Sequence, residues 1–267
     1  MRSFCSAIVV LTLTPGAAAA ANLVVGPGQA YETIGEALIN AGNFDTIVIE
    51  PGVYAEDLRI NVFSNLTIES ATNDPNDVII TSSGDNGVDN LVDVSVSNVT
   101  IRGVTIDGVR AHRGILLWES DLNLENSVIV NGFNPDGYPG AGLDMWSNST
   151  ATVLGTTFYG NEADNPLGVA NFGGNIAVET GCTLDILPGT ILIYGRAQRG
   201  AGLWVDNAAA ATVDGAQIIS NMATGTNFDN DGGGIHVGWY STLDVSDTEF
   251  ELNSAGLDAS SGGGAIF

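Results

Sequence analysis

A phrase of 27 to 33 residues recurs through the second half of this chain, opening at a glycine cluster and closing on an asparagine, and it restricts the fold more than any other feature. Take the apolar residue after each glycine cluster as zero. Leu143, Leu203 and Ile235 then have apolar partners at +2 (Met145, Val205, Val237), +10 (Val153, Val213, Val245) and +15 (Phe158, Ile218, Phe250). Each reaches asparagine at +18, as Asn161, Asn221 and Asn253. A fourth copy starts at Ile176 and keeps Val178, Ile186 and Ile191, but carries Tyr194 at +18; a looser fifth runs from Ile115 to Asn131. Within each copy apolar residues alternate with small or polar ones, the period of half-buried strands. No copy can bury its apolar face alone, so the copies must stack, each pairing with the coils above and below at roughly 4.8 Å. The pattern predicts an all-β parallel solenoid with three short strands per coil and roughly eight coils.

Asparagine at one phase of a coil suits a ladder of side-chain amides at a tight bend, and glycine suits corners that need positive φ or close backbone approach. The 35 glycines and 14% charged residues fit a chain rich in corners around a thin core. Residues 1–21 read as a secretory signal: Arg2, the apolar run Ala7 to Leu13, then Pro15 and small residues, with cleavage near Ala20 or Ala21. Cys5 leaves with it. Cys182 then stands alone, so no intramolecular disulfide forms, and it reads as a small buried apolar residue. In residues 22–60, Tyr31, Ile34, Ala37, Leu38 and Ala41 follow helical spacing, starting near Tyr31 or Thr33 and stopping at Gly42. A short helix there is the N-terminal cap of the first coil, covering the open end of the solenoid. Residues 61–267 are its further coils.

Two stretches resemble known families. Val25-Gly-Pro-Gly-Gln-Ala-Tyr-Glu-Thr-Ile, with Asp45-Thr-Ile-Val-Ile and Pro51-Gly-Val-Tyr-Ala-Glu56, resembles the opening segment of pectin lyase-like right-handed parallel β-helices, which implies that fold without fixing an activity. Phe158-Tyr-Gly-Asn161, Ile218-Ile-Ser-Asn221 and Phe250-Glu-Leu-Asn253, each followed by a glycine cluster, resemble the Phe-x-x-Asn and Gly-Gly-Ala-Ile repeats of the polymorphic outer-membrane protein family, although Ile218 replaces Phe. That resemblance implies a surface adhesin or autotransporter passenger. Such passengers precede a membrane β-barrel, so a chain stopping at Phe267, at the start of a coil, reads as part of a longer frame.

Charge narrows the partners. Seven basic residues, all arginine, face 31 acidic ones, for a net charge of −24. This argues against nucleic acid and anionic membranes, which require a basic footprint. Acidic turns at Asp74–Asp77, Asp85–Asp89 and Asp229–Asp231 offer oxygen ligands to Ca²⁺, with Asp229 and Asp231 the candidate pair; no other cofactor is expected. Arg110, His112 and Arg113, and three coils on Arg196 and Arg199, precede the same corner. Aligned, they form a cationic stripe suited to carboxylates of an acidic glycan. The carboxylate pairs and motifs of solenoid hydrolases and pectin methylesterases are missing. His236, alternating with Ile235 and Val237, points outward and reads as exposed. The expectation is a secreted or cell-surface binding or structural module, meeting an extracellular glycan or a cell-surface protein and leaning away from catalysis. The alternative is a calcium-dependent lyase on acidic polysaccharide.

Overall fold

The computed structural model describes residues 19–84, 89–134, 139–163, 172–224, 231–256 and 262–267; most of residues 1–21, expected to be a signal, and Asp85 and Asp229 lie outside them. The chain is a right-handed parallel β-helix. Every strand pair is parallel, in sheets of nine, seven, eight and four strands among the described residues. One coil shows the path: Leu143–Trp146 in the seven-stranded sheet, Thr150–Leu154 in the nine-stranded sheet, Thr157–Tyr159 in the eight-stranded sheet, and Glu162–Ala163 in the short fourth sheet.

Earlier coils have the expected three strands, and in four later coils the fourth sheet adds a short fourth strand to them. Glu162–Ala163, Arg196–Ala197, Met222–Ala223 and Ser254–Ala255 pair in register after the asparagine position. Ala163 and Ala197 pack with Ala141 and Ala201 in a small buried core of their own. Inward columns run along the axis without interruption. In the nine-stranded sheet one column reads Ile47, Ile68, Ile101, Leu124, Val153, Ile186, Val213, Val245. At about 25 cal/mol per Å² of buried apolar surface, such columns are the main source of stability in a structure with no disulfide among the described residues.

At the first coil, the helix Ile34–Asn40 buries Ile34, Ala37 and Leu38. Thr33 is its N-cap, accepting from Glu36 N–H (3.1 Å), while the Glu56 carboxylate accepts from the N–H groups of Ile34 (2.9 Å) and Gly35 (2.8 Å).

The asparagine ladder is continuous through a coil whose sequence lacks it. Asn161 donates to Asn175 Oδ1 (2.9 Å), Asn175 to Asn221 Oδ1 (3.0 Å) and Asn221 to Asn253 Oδ1 (2.9 Å). Asn221 also donates to Leu192 O and accepts from Gly195 N–H, so its amide is fully satisfied while fully buried. Asn175 comes from the opposite side of the corner, at the position that other coils fill with Gly142, Gly202 and Gly234. Gly195 in turn sits at the ladder position, paired through Arg196↔Met222 with Asn221. The two residue types are exchanged within one coil. A Cβ on Gly195 would lie 2.1 Å from Ala201 O and 2.7 Å from Asn175 Nδ2, so this coil needs glycine there.

Two register expectations are thereby corrected. One residue more in the turn through Gly189 (φ +83) shifts the phase, so Leu192 rather than Ile191 is buried and Gly195 rather than Tyr194 reaches the ladder. In the looser fifth copy Gly132, not Asn131, occupies that position, and its N–H donates to Asn161 Oδ1 (2.8 Å).

Reverting the exchange tests it. Asn175→Gly alone leaves ladder partners unpaired and should cost about 2–3 kcal/mol; Gly195→Asn alone should cost at least as much through overlap. The double variant removes the overlap with Asn175 Nδ2 but not that with Ala201 O, so in urea unfolding it should recover part of the summed single losses, a favourable coupling. Additive losses would show that the columns do not compensate each other.

Candidate functional site

The outer face of the seven-stranded sheet gathers most of the groups with chemical potential. In its strands the inward residues are Leu143/Met145, Ile176/Val178, Leu203/Val205 and Ile235/Val237. The outward ones at +1 and +3 are Asp144/Trp146, Ala177/Glu179, Trp204/Asp206 and His236/Gly238.

Asp144 is fully buried. Its Oδ2 is 3.1 Å from Arg113 Nη1 and its Oδ1 accepts from Trp146 Nε1 at 2.9 Å. Burial nevertheless pushes its carboxyl up to about 7, against the pull of Arg113 and of the Trp146 hydrogen bond. Glu179, one coil on, is pushed up to about 8, first by burial and then by the charge of Asp144, with Asn207 Nδ2 (3.4 Å) opposing. Asp206 is held at the same corner by the N–H groups of Asn207 (2.7 Å) and Trp239 (2.5 Å).

The next coils supply rings. Phe172 stacks on Trp204 (centroids 4.7 Å apart, 18° between planes), and Arg199 lies over Phe172 at 5.7 Å. His236 stacks on Phe267 (5.4 Å, 8°). His236 points outward as alternation requires, yet it is 6% exposed, which corrects the expectation of a surface residue: Phe267, next to the isolated bridge Ile235↔Ile266, covers it. Its pKa is lowered by burial and by Arg199, opposed by Asp231 and Asp206.

The arginines do not form a single open stripe. Arg110 pairs with Glu162, and Arg196 approaches the same carboxylate at 3.9 Å, so one acid stands between two coils' cations. Arg113 turns to Asp144 instead. Arg199 joins the aromatic layer, and His112 is buried, its carbonyl accepting from Phe133 N–H. The arginine side of the cluster was legible in the sequence; Asp144, Glu179, Trp146 and Trp204 were not singled out. Reading the +1 and +3 columns alone, after the inward residues are set aside, would have found them.

For calcium, Asp231 Oδ1 accepts from Gly262 N–H (3.1 Å), and Asp74 Oδ1 accepts from Asn76 N–H (2.9 Å) and Asn76 Nδ2 (2.8 Å). Among the described residues no group of three or more His, Cys, Asp or Glu is arranged to hold a metal ion. Cys182 is buried, its thiol pushed up to about 11 by burial. No helix among the described residues is long and apolar enough to cross a membrane.

No protein-family model matches this chain, and no curated protein matches it in sequence. Solved structures that resemble it include the alginate lyase from Paenibacillus sp. str. FPU-7, with a TM-score of 0.48 and 15% identity over 92% of this chain and 99% of that one. A second is the deglycosylated pectin methylesterase from Aspergillus niger, with a TM-score of 0.42 and 16% identity over 88% of this chain and 91% of that one. Likeness at this level says nothing of what this chain binds.

Asp144 and Glu179 make stability depend on pH with a definite sign. Their folded pKa values, about 7 and about 8, lie above the ordinary carboxylate values 3.8 and 4.5, so between these limits the folded state holds more protons than the unfolded chain. The stabilisation is fully present below about pH 4 and is lost as pH rises through 8, on the order of a few kcal/mol. Denaturant unfolding at pH 5 and pH 8.5 should show that loss, and Glu179→Gln should reduce it; a wild-type stability unchanged across the window would refute the assignment. Arg113→Ala, which strands Asp144, should cost about 3–5 kcal/mol at pH 8.5 and less at pH 5.

Proposed function

We propose that this protein is an exported, extracellular or cell-surface β-helix that works as a non-catalytic binding module for a glycan or a cell-surface protein. One observation carries the reading. The acid with the strongest chemical potential, Asp144, is fully buried and held by Arg113 and Trp146, while Arg110 and Arg196 are engaged by Glu162. Groups committed to each other in this way build a surface; they do not open onto a cleft where a polymer is cut. The Phe-x-x-Asn and glycine-cluster repeats, which resemble those of surface-displayed passengers, and the apolar N-terminal segment favour export.

A second reading has its own support. Arg113, Asp144 and Glu179 come from successive coils on one face, and both acids titrate near neutrality, as a general acid or base needs. On this reading the chain is a carbohydrate-active enzyme, most simply a lyase on acidic polysaccharide with Ca²⁺ as counterion.

Incubation with pectate, alginate and related polyuronides, with Ca²⁺ and with chelator, separates the two. Absorbance of unsaturated uronides and release of reducing ends should both stay at background for wild type, as for Arg113→Ala. Calcium-dependent product from wild type that is lost in a folded Arg113→Ala protein would establish the lyase instead.

A further inference from the structure

Apolar side chains gathered in one continuous patch on a protein surface mark a place of contact, while scattered single ones are ordinary. The outer face of the eight-stranded sheet holds such a patch. Its strands Val78–Thr81, Thr105–Asp107, Val128–Val130, Thr157–Tyr159, Ile191–Ile193 and Gln217–Ile219 have two outward positions each, and Asp107 is the one acid among those twelve. In the same coils the outward positions of the nine-stranded sheet carry Glu69, Asp121, Glu125, Asp185 and Asp214. Val128, Val130, Ile191, Ile193 and Ile219 are half-buried among their stacked neighbours. At the corner of this face Tyr159 and Tyr194 are 45% and 49% exposed, their rings edge to face at 5.4 Å. In a chain of net charge −24, solubility would favour carboxylates here as it does on the neighbouring face.

The polar groups on this face are already engaged. Thr105 Oγ1 donates to Pro75 O (2.7 Å) and Gln217 Nε2 to Glu249 Oε2 (3.0 Å), while Asp107 Oδ1 accepts from Val109 N–H (2.9 Å) and Asn131 Nδ2 (3.0 Å). A sugar would therefore meet few open donors or acceptors, and a basic protein is drawn to the acidic faces instead. What fits is another flat sheet whose side-chain ridges repeat at about 4.8 Å, packed at about 10 Å as in a sandwich. The same face of a second copy has that repeat. Area sets the strength of such a contact. Eight strands at about 4.8 Å cover roughly 38 Å, and about five residues across, corners included, cover roughly 16 Å. Two such faces remove about 1,200 Å² from water, the lower limit for a specific interface.

We propose that this protein forms a reversible homodimer through face-to-face packing of its eight-stranded sheets. The dimer stands whether or not the chain binds a glycan. Its partners run antiparallel: Glu249 and Glu251 point outward at one end of the face, so parallel partners would bring these carboxylates together, while antiparallel ones set them against the end that holds Val53. Tyr159 lies near the middle of the face, where an aromatic anchor contributes most. Each copy's charge opposes the pairing, so salt strengthens it by screening the repulsion while leaving the apolar contact intact.

Sedimentation equilibrium of the whole chain up to about 200 µM, in roughly 0.02 M and roughly 0.5 M NaCl, tests the proposal. A monomer–dimer equilibrium should appear, about fivefold or more tighter at the higher salt. Val130→Asp and Tyr159→Ala should each weaken it about tenfold or more. Thr183→Asp, which adds the same charge on the outer side of the nine-stranded sheet, should leave it near wild type. Because Tyr159 is so exposed, Tyr159→Ala remains decisive even if Val130→Asp does not fold. A monomer under all these conditions, a dimer that salt weakens, or one that survives both substitutions at the face would overturn the proposal. Flotation of a monomeric wild type with phosphatidylcholine vesicles, lost in Val130→Asp, would overturn it too and give the face to a lipid surface.

Discussion

Every coil of this protein depends on backbone hydrogen bonds to the coil before and the coil after it, because no turn of about thirty residues has a core of its own. Side chains that sit at a corner must therefore repeat with the backbone or be compensated. The exchange of Asn175 and Gly195 shows how strict this is. The corner has room for one amide between two backbones, and it can be supplied from either side, provided the opposite position is glycine. A lost amide with no substitute would leave Ile193 O and the amides of Asn161 and Asn221 short of a partner in a buried corner.

The fold was legible in the sequence because two independent signals agreed: period-2 alternation and a fixed return of asparagine. Local detail failed where a single residue altered the phase. The turn through Gly189 moves the fourth copy by one position, and counting from Ile176 then assigns Ile191 and Tyr194 to places held by Leu192 and Gly195. Period-2 structure makes such slips costly to a reader, since one residue exchanges inside for outside. The hydroxyl columns at two further corners were also missed. Ser97, Ser120 and Ser149 link coil to coil (Ser97 N to Ser120 Oγ and Ser120 N to Ser149 Oγ, both 3.1 Å), as do Ser127 and Thr156 (3.3 Å). Serine and threonine are common in turns, so their recurrence carries little signal until the register is known.

The candidate site was half legible for a similar reason. Arginines are rare here, so their clustering drew notice, whereas Asp144 and Glu179 are two acids among 31. What distinguishes them is burial on an outward face, which alternation alone does not announce. Outward means away from the solenoid core and, in a β-helix whose other segments cross the sheet, need not mean solvent. His236 makes the same point with its ring under Phe267.

Burying two acids on successive coils is expensive, and the structure offsets the cost unevenly. Asp144 has a guanidinium and an indole N–H; Glu179 has one long amide contact, with its second oxygen unpaired. A protein selected only for stability would gain by replacing Glu179 with an apolar side chain, since isosteric hydrophobic substitutions of poorly paired buried charges are often neutral or stabilising. The same holds for the indole N–H of Trp204, whose stacking on Phe172 a phenylalanine would keep. Glu179 and Trp204 are not alone, since Asp57 Oδ1, Asn90 Oδ1 and Gln198 Oε1 are also buried without a protein partner, but the run on successive coils of one face is where the fold departs most from the rule its corner amides follow. Such departures are expected where a surface has work beyond holding itself together.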